Sequence, residues 1–171
     1  AEANSHFNIT AITDPTAAAE KHYLDCLLAG AAAAAYLPTT GAVADIGSGG
    51  GFPGLVLAAA YPQLDFTLIE SSQKKTIFLL ESVAQMGLDN LRAVPLRAEE
   101  AGRNPSLRAA FDVVTARAVA ELNVLGEYSL PLLREGGFFL ALKGPEPQEE
   151  LATAAHALEL LGGIVEQVLT Y

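Results

Sequence analysis

The amino-acid sequence predicts an α/β fold in which a central, mostly parallel sheet carries helices on both faces. Three observations predict it. Short apolar runs alternate along the chain with segments of helical periodicity. The first clear apolar run leads into a glycine-rich loop and then into a helical pattern. The chain has 171 residues, 51% of them hydrophobic, which suits the core of a single domain.

The elements before the glycine-rich loop are one long helix and one buried strand. Residues 1–12 predict an irregular or short strand segment. A helix then starts with Asp14 or Thr16 as its cap and a proline in the first turn, and it runs to about Leu37. Ala42–Ile46 follows as a strand whose apolar composition indicates burial on both faces.

After the loop, strands and helices are expected to alternate to the end of the chain. The predicted strands are Phe66–Glu70, Leu91–Leu96, Phe111–Thr115, Phe138–Lys143 and Ile164–Tyr171. The predicted helices run from the loop to about Ala60, over Gln73–Met86 with Gly87 as its stop, over Glu121–Leu133 ended by Gly136-Gly137, and over Glu149–Leu161. Residues 99–110 predict a polar connection.

Composition excludes several classes of protein. A single cysteine, Cys26, cannot form an internal disulfide, and its apolar neighbours predict a buried, unreactive thiol. No run reaches the roughly 18 apolar residues of a membrane helix, and no signal peptide is apparent. These features favour a cytoplasmic protein. The net charge of −10 does not predict a nucleic-acid ligand, because phosphate contacts require Lys and Arg.

The most informative motif is the run from Asp45 to Gly54, DIGSGGGFPG, at the turn from strand to helix. Glycines there permit positive φ angles and leave room for a ligand at the helix N-terminus. Two patterns fit. Gly49-x-Gly51-x-x-Gly54 matches the dinucleotide fingerprint, whereas Gly47-x-Gly49-x-Gly51 after Asp45 is typical of S-adenosylmethionine-dependent methyltransferases.

Asp45 favours the methyl donor over a dinucleotide. A carboxylate beside the loop would repel the two phosphates of a dinucleotide, whereas S-adenosylmethionine carries a positive sulfonium and a positive α-amino group. Glu70, at the end of the second strand, suits both ligands because a carboxylate can accept from ribose hydroxyls. A glycine-rich turn in which Asp45 merely caps the loop amides stays a third interpretation.

Further motifs resemble one methyltransferase family. The matching stretches are NITAITDP (8–15), KHYLD (21–25), the glycine loop (45–54), SSQKK (71–75), RAE (97–99), TARAV (115–119) and LALKG (140–144). Over roughly residues 8–150 the chain resembles the bacterial family once called glucose-inhibited division protein B, the small-subunit ribosomal RNA guanine-N7 methyltransferase G. The resemblance implies a Rossmann-like methyltransferase fold and transfer of a methyl group from S-adenosylmethionine to guanine 527, in the 530 loop of 16S ribosomal RNA.

The loop motif, the resemblance and the expected chemistry together indicate the site residues. The expected cofactor-binding residues are Asp45, Gly47, Gly49, Gly51, Phe52, Glu70, Ala98, Glu99 and Arg117. The expected catalytic residues are Arg117, which could orient the base or the donor carboxylate, and Lys143, which could contact an RNA phosphate or guanine O6. A surface ion pair for Arg117 and a solvated lysine at position 143 stay open. No residue spacing indicates a metal site.

Other residues receive weaker interpretations. His22 is expected to be a hydrogen-bonded structural residue rather than a catalyst, and His156 is given no role. Lys74 and Lys75 either face RNA or lie on a solvated helix face.

The expected organisation is a single methyltransferase domain, with residues 1–40 as an N-terminal helical segment, 41–171 as the cofactor-binding core, and both termini truncated. The expected partner is 16S ribosomal RNA or the small subunit, bound by a monomer that does not contact a membrane. Two other functions stay open: an NAD(P)-dependent oxidoreductase, and a non-catalytic domain that binds S-adenosylmethionine or a partner protein.

Overall fold

A computed structural model describes residues 14–170 and contains a five-stranded sheet in the order β3-β2-β1-β4-β5, with every pairing parallel. The strands are β1 (Gly41–Ile46), β2 (Leu64–Ile69), β3 (Leu91–Val94), β4 (Phe111–Arg117) and β5 (Leu133–Leu142). The chain builds outward from β1 to β3, then crosses back to place β4 beside β1. The order reverses between β1 and β4, which is where a sheet of this type forms a ligand crevice at its carboxyl edge.

Helical segments precede β1 and connect the strands. They are α1 (Pro15–Ala18), a π-helical segment (Ala19–Leu24), α2 (Asp25–Ala32), a 3₁₀ turn (Ala34–Tyr36), α3 (Gly54–Ala60), α4 (Gln73–Met86), α5 (Ala98–Ala101), α6 (Leu122–Ser129), a second 3₁₀ turn (Leu130–Leu132) and α7 (Gln148–Leu160). The predicted α4 is confirmed at both ends: the Ser72 hydroxyl caps its first turn, and Gly87, at φ +63°, ends it.

The core has a layer on each face of the sheet, as the predicted fold requires. Side chains of β1 alternate between the two layers. Val43 packs in the same layer as Leu57 of α3, whereas Ile46 packs in the opposite layer with Leu125 of α6. Both faces of β1 are therefore buried, which is why its sequence is apolar throughout except at Asp45.

The predicted sixth strand is wrong for the residues that the structure describes. Residues 164–170 form no strand, and Ile164 is 85% exposed. A strand needs a neighbouring backbone with which to pair, and within residues 14–170 β5 pairs only with β4. This segment instead lies near Tyr36, whose hydroxyl donates a hydrogen bond to Gln167 Oε1 at 2.8 Å.

The predicted end of the α6 helix is also wrong. The α-helix stops at Ser129, and a 3₁₀ turn containing Pro131 leads directly into β5. Proline has no N–H group and crowds the preceding turn, so a helix does not continue through it. Gly136 and Gly137 lie inside β5, where Gly136 has φ +76° next to a register shift between β4 and β5.

Smaller differences concern the ends of some elements and one connection. β3 stops at Val94 rather than at Leu96, and β4 runs on to Arg117. The connection predicted at 99–110 contains α5, whose first turn is closed by the Glu100 carboxylate accepting from the Arg97 N–H at 3.2 Å. The segment predicted at residues 1–12 lies outside the described residues. Within the described part, no helix has the length and apolar character needed to cross a membrane.

Candidate active site

The candidate site lies at the carboxyl ends of β1 and β4. Asp45 pairs in register with Thr115, and Ile46 with Ala116, so the glycine loop after β1 and the residues after β4 leave the sheet side by side. These two neighbouring exits bound the crevice that the strand order creates.

Three glycines give the loop its shape. Gly47, Gly49 and Gly51 have φ angles of +63°, +52° and +91°, which other residues rarely adopt. The loop is tied to the sheet because Gly47 N donates to the Ile69 carbonyl at 2.8 Å. A Cβ atom added at Gly49 would meet only the Gly47 carbonyl oxygen, at 3.7 Å. The loop therefore has an open face at Gly49 against which a ligand can lie.

Asp45 lies beneath the loop and is fully buried. Its Oδ2 accepts from the Gly54 N–H at 3.2 Å, and its Oδ1 accepts from the Thr115 hydroxyl at 2.9 Å. Burial raises the pKa of this carboxyl to about 6, against the opposing effect of the hydrogen bonds from Thr115, Ser48 and Gly54. Asp45 thus joins β1, β4 and the start of α3.

Glu70 holds the loop from the other side. It is only 6% exposed, and its two oxygens accept from the Gly49 N–H at 2.9 Å and from the Ser72 N–H at 2.8 Å. A carboxylate has about four acceptor positions, so both oxygens can still accept from a ligand hydroxyl.

Gly54→Ala tests how closely α3 packs against this carboxylate. A Cβ atom at position 54 would lie 2.8 Å from both Cβ and Oδ2 of Asp45 and would also overlap Leu68. Overpacking of this kind costs about 1–3 kcal/mol, so we expect the free energy of unfolding in urea to fall by that amount. Gly144→Ala is the control, because nothing lies within 4 Å of the added atom. Equal stability of the two variants would contradict the packing described.

Phe52 is at the centre of an aromatic cluster above the loop. The His22 ring stacks on it with centroids 4.8 Å apart and planes at 21°, and Tyr23 contacts it edge-on at 5.2 Å. The Arg117 guanidinium carbon lies 5.3 Å from the ring centroid, within range of a cation–π interaction. The cluster therefore joins the N-terminal helical segment, the glycine loop and β4.

Arg117 is held by polar groups of the N-terminal segment. Its Nη1 donates to Asp25 Oδ2 and to the Lys21 carbonyl, each at 3.2 Å, and its Nη2 lies 3.1 Å from His22 Nδ1. The side chain of Arg117 is 17% exposed. Burial and the neighbouring guanidinium lower the pKa of His22 below its ordinary value of 6.5.

The residues after β4 cover the first glycine of the loop. Ala118 has φ +54°, an unusual angle for a residue with a side chain. A Cβ atom added at Gly47 would lie only 2.7 Å from Val119 Cγ2. Val119 therefore packs directly on Gly47 and forms one wall of the crevice.

Comparison with known proteins identifies the family. The family model described as rRNA small subunit methyltransferase G, GidB, matches residues 1–171. The chain belongs to this family. One relative, from Lactobacillus johnsonii, is 44% identical over 98% of the chain and 70% of its own length. Another, from Symbiobacterium thermophilum, is 49% identical over 98% of the chain and 69% of its own length. Both are ribosomal RNA small subunit methyltransferases G.

Solved structures agree on the fold. An S-adenosylmethionine-dependent methyltransferase from Aquifex aeolicus matches with a TM-score of 0.64, 19% identity, and coverage of 95% of this chain and 90% of its own. The [4+2]-cyclase SpnF matches with a TM-score of 0.63, 19% identity, and coverage of 80% and 56%. The predicted Rossmann-like fold is confirmed. Membership of the methyltransferase G family makes the chain an S-adenosylmethionine-dependent enzyme that acts on small-subunit rRNA, and it favours the methyl donor over NAD(P).

The methyltransferase G fold brings most of the expected site residues together, but not Lys143. The Lys143 ammonium donates to the Ala120 carbonyl at 2.9 Å and forms an ion pair with Glu150 at 2.6 Å. The same Glu150 oxygen accepts from Leu122 N at 2.7 Å. In the part of the chain described, none of these contacts links Lys143 to the glycine loop or to Arg117.

Ala98 and Glu99 lie beyond β3, two strands away from β1. Glu99 is exposed, and its Oε1 accepts from the Tyr128 hydroxyl at 3.2 Å. This place suits the far end of a ligand that extends along the carboxyl edge of the sheet from the glycine loop.

Sequence reasoning missed several residues that the methyltransferase G fold brings to the site. It assigned no site role to Asp25, Tyr23 or Val119, and it gave His22 a structural role only. The spacing of His22 and Asp25, three residues apart, places them on one face of a helix and was an available signal.

The prediction for Cys26 is confirmed: the thiol is fully buried, and burial raises its pKa to about 12.

Proposed function

We propose that this chain transfers the methyl group of S-adenosylmethionine to N7 of a guanine in 16S ribosomal RNA, the guanine of the 530 loop. The observation that carries the choice of donor is the pairing of the loop amides. The Gly49 and Gly54 N–H groups donate to the carboxylates of Glu70 and Asp45. A dinucleotide would need such amides for its phosphates, whereas a ligand with positive charge is attracted by the two carboxylates.

The chain's residues suit this ligand. The open face at Gly49, between Gly47 and Gly51, leaves room for the donor at the loop. The Glu70 carboxylate would accept from ribose hydroxyls, and Ala98 with Glu99 would flank the adenine. Phe52 and Arg117 would bound the end where the methyl group lies. When bound, S-adenosylmethionine supplies an electrophilic methyl group on a positively charged sulfur.

The reaction requires little from the protein beyond positioning the methyl donor and guanine N7. Guanine N7 carries an in-plane lone pair and no proton, so no general base is needed to expose it. Orienting two reactants supplies up to roughly 7–11 kcal/mol of barrier reduction in favourable cases. Arg117 and Lys143 are the proposed catalytic residues, the former beside the donor and base, the latter at an RNA phosphate or guanine O6. Lys143 would reach RNA by exchanging its ion pair with Glu150 for one with the substrate.

The substrate indicates which form of RNA is bound and where in the cell the reaction takes place. An unstacked or looped guanine can enter a pocket, whereas a guanine inside a helix cannot. Because the substrate is ribosomal RNA, we place the enzyme in the cytoplasm, and we propose that it acts as a monomer. Residues 41–171 would form the cofactor-binding core of a single domain, preceded by the helical segment 1–40.

Glu70→Gln tests the ribose position. Glutamine keeps the shape of the side chain. Its NH₂ group, however, would face the N–H of Gly49 or of Ser72, from which the carboxylate now accepts a hydrogen bond. We expect donor affinity to fall about tenfold, equivalent to roughly 1.4 kcal/mol, when measured by calorimetric titration with S-adenosylmethionine. Glu81→Gln, on the exposed side of α4, is the control. Equal affinities of the two variants would remove Glu70 from the site.

The decisive experiment is methyl transfer to small-subunit rRNA from a strain that lacks the enzyme. The donor carries a radioactive methyl group, and the product is digested and mapped. We expect one N7-methylguanine in the 530 loop when either the free 16S rRNA or the small subunit is offered, and no labelling of large-subunit RNA. A parallel titration with NAD should show no binding. Labelling at another base, or tight binding of NAD with no response to the methyl donor, would overturn the proposal.

A further inference from the structure

The N-terminal segment reaches the site through two side chains, His22 and Asp25. Both contact Arg117, although 95 and 92 residues of chain separate them from it. The Asp25 carboxylate forms an ion pair with the guanidinium at 3.2 Å. The His22 ring contacts the guanidinium through Nδ1 and also stacks on Phe52. The arginine is therefore fixed from the helix side and from the ring side together.

The hydrogen-bond inventory of Arg117 shows which donors remain for a ligand. A guanidinium has five N–H groups. Three are directed at the Lys21 carbonyl, the Asp25 carboxylate and the His22 imidazole. The other two, one on Nη2 and the one on Nε, have no hydrogen-bond partner among residues 14–170. Two N–H donors of a guanidinium can form a paired contact with a carboxylate or with the O6 and N7 acceptors of guanine.

We propose that Asp25 and His22 are positioning residues of the methyl-transfer reaction, which hold the Arg117 guanidinium over the Phe52 ring so that its two remaining donors face the reactants. The proposal rests on the part of the proposed function that places the methyl donor at this edge of the sheet, because the orientation of Arg117 matters only if the donor binds there. Neither residue is proposed to touch the reacting atoms.

The hydrogen bond between Arg117 Nη2 and His22 Nδ1 requires a neutral imidazole. Arginine can only donate, so Nδ1 must accept and the imidazole proton must lie on Nε2. Among residues 14–170, the charged groups that act on His22 are Arg117 from β4 and Asp25 from its own segment. The Lys21 backbone also forms a hydrogen bond with the imidazole, and the Phe52 ring lies on one side. Burial and Arg117 lower the pKa of His22, which means that the neutral form persists as the pH falls past 6.5. Further acidification places a proton on Nδ1 and repels the guanidinium.

Two substitutions separate the roles of charge and acceptor. Asp25→Asn removes the ion pair but keeps the shape, and we expect kcat to fall about tenfold, with Asp25→Glu restoring part of it. In His22→Asn, the side-chain oxygen can stand in for Nδ1 as acceptor and cannot be protonated. We expect kcat of this variant near pH 8 to fall about threefold, because the stacking on Phe52 is lost, and the part of the acid limb below pH 6.5 that belongs to His22 to disappear.

Matched controls are available on exposed surface. Asp89→Asn and His156→Asn change the same residue types at exposed positions that are distant in sequence from His22 and Asp25. Both variants should match the wild type in kcat and in pH profile. Assays use 16S rRNA or small subunits with saturating donor, and the affinity of each variant for S-adenosylmethionine is measured separately by calorimetry.

The readouts distinguish the two proposals. If the wild type labels the RNA and the Asp25 and His22 variants keep its kcat, KM and pH profile, the positioning role is wrong and the proposed function stands. If the wild type labels no small-subunit RNA, the proposed function fails, and donor affinity then decides about positioning. An affinity unchanged by Asp25→Asn overturns the role, and one weakened about tenfold while Asp89→Asn is unaffected supports it.

Discussion

Asp45→Ala is expected to weaken binding of S-adenosylmethionine by at least about tenfold, or roughly 1.4 kcal/mol. The side chain is fully buried under the loop, where it accepts from the Gly54 N–H and the Thr115 hydroxyl. Alanine would leave both donors without this acceptor, and a buried unsatisfied donor costs about 1–3 kcal/mol. The loop would lose its attachment to β4, and the crevice would lose a negative charge. Calorimetric titration with the donor measures the effect.

Asp45→Asn separates the charge from the hydrogen bonds. Asparagine keeps the volume, and we expect it to lower stability less than alanine does while still weakening donor binding, because it carries no charge to attract a cation. Asp65→Ala is the matched control, since Asp65 is an exposed carboxylate on the neighbouring strand. Wild-type affinity in both Asp45 variants would show that the crevice does not depend on this carboxylate.

Arg117→Ala is expected to lower kcat/KM for methyl transfer by at least about tenfold, with a larger effect on catalysis than on stability. The side chain is mostly buried against the Phe52 ring and contacts three groups of the N-terminal segment. Its loss removes the guanidinium from the carboxyl edge of β4 but leaves Asp25, which is 36% exposed, accessible to water. Kinetics with 16S rRNA and unfolding in urea together measure the two effects.

Arg117→Lys tests whether charge alone is enough. A lysine ammonium lacks the planar fork that contacts Asp25 and His22 at once, so we expect it to recover only part of the activity. Arg103→Ala, in the exposed connection after α5, is the control and should behave as the wild type. Full activity in Arg117→Ala would show that this residue is a structural ion pair and nothing more.

The family assignment shows where the acidic composition misled. A net charge of −10 argues against RNA as a ligand when it is taken over the whole sequence. The charge near the crevice is distributed differently: Asp45 and Glu70 lie beneath the loop, whereas Arg117 ends β4 and Lys143 directly follows the adjacent strand β5. Binding responds to the charges that face the ligand, and a total over the chain does not report them.

Local signals were enough to predict several elements. The helix Gln73–Met86 was predicted with the correct bounds because one-face apolar spacing and a terminal glycine are local signals; in the structure a Ser72 cap closes its first turn. The first strand and the glycine loop were predictable because an apolar run and a cluster of glycines each have few alternative conformations. The donor class followed from one carboxylate, Asp45, and the family from short motifs spread along the chain.

Other features depend on which strands are neighbours, and periodicity does not contain that information. The contact of Arg117 with Asp25 and His22 forms only because β4 lies beside β1, across more than ninety residues of chain. Residues 164–170 were predicted as part of a strand, yet they form none in the structure because pairing needs a neighbouring backbone. Lys143 was predicted as the last residue of its strand, but β5 ends at Leu142 and Lys143 forms an ion pair with Glu150, since long-range contacts are set by packing in three dimensions.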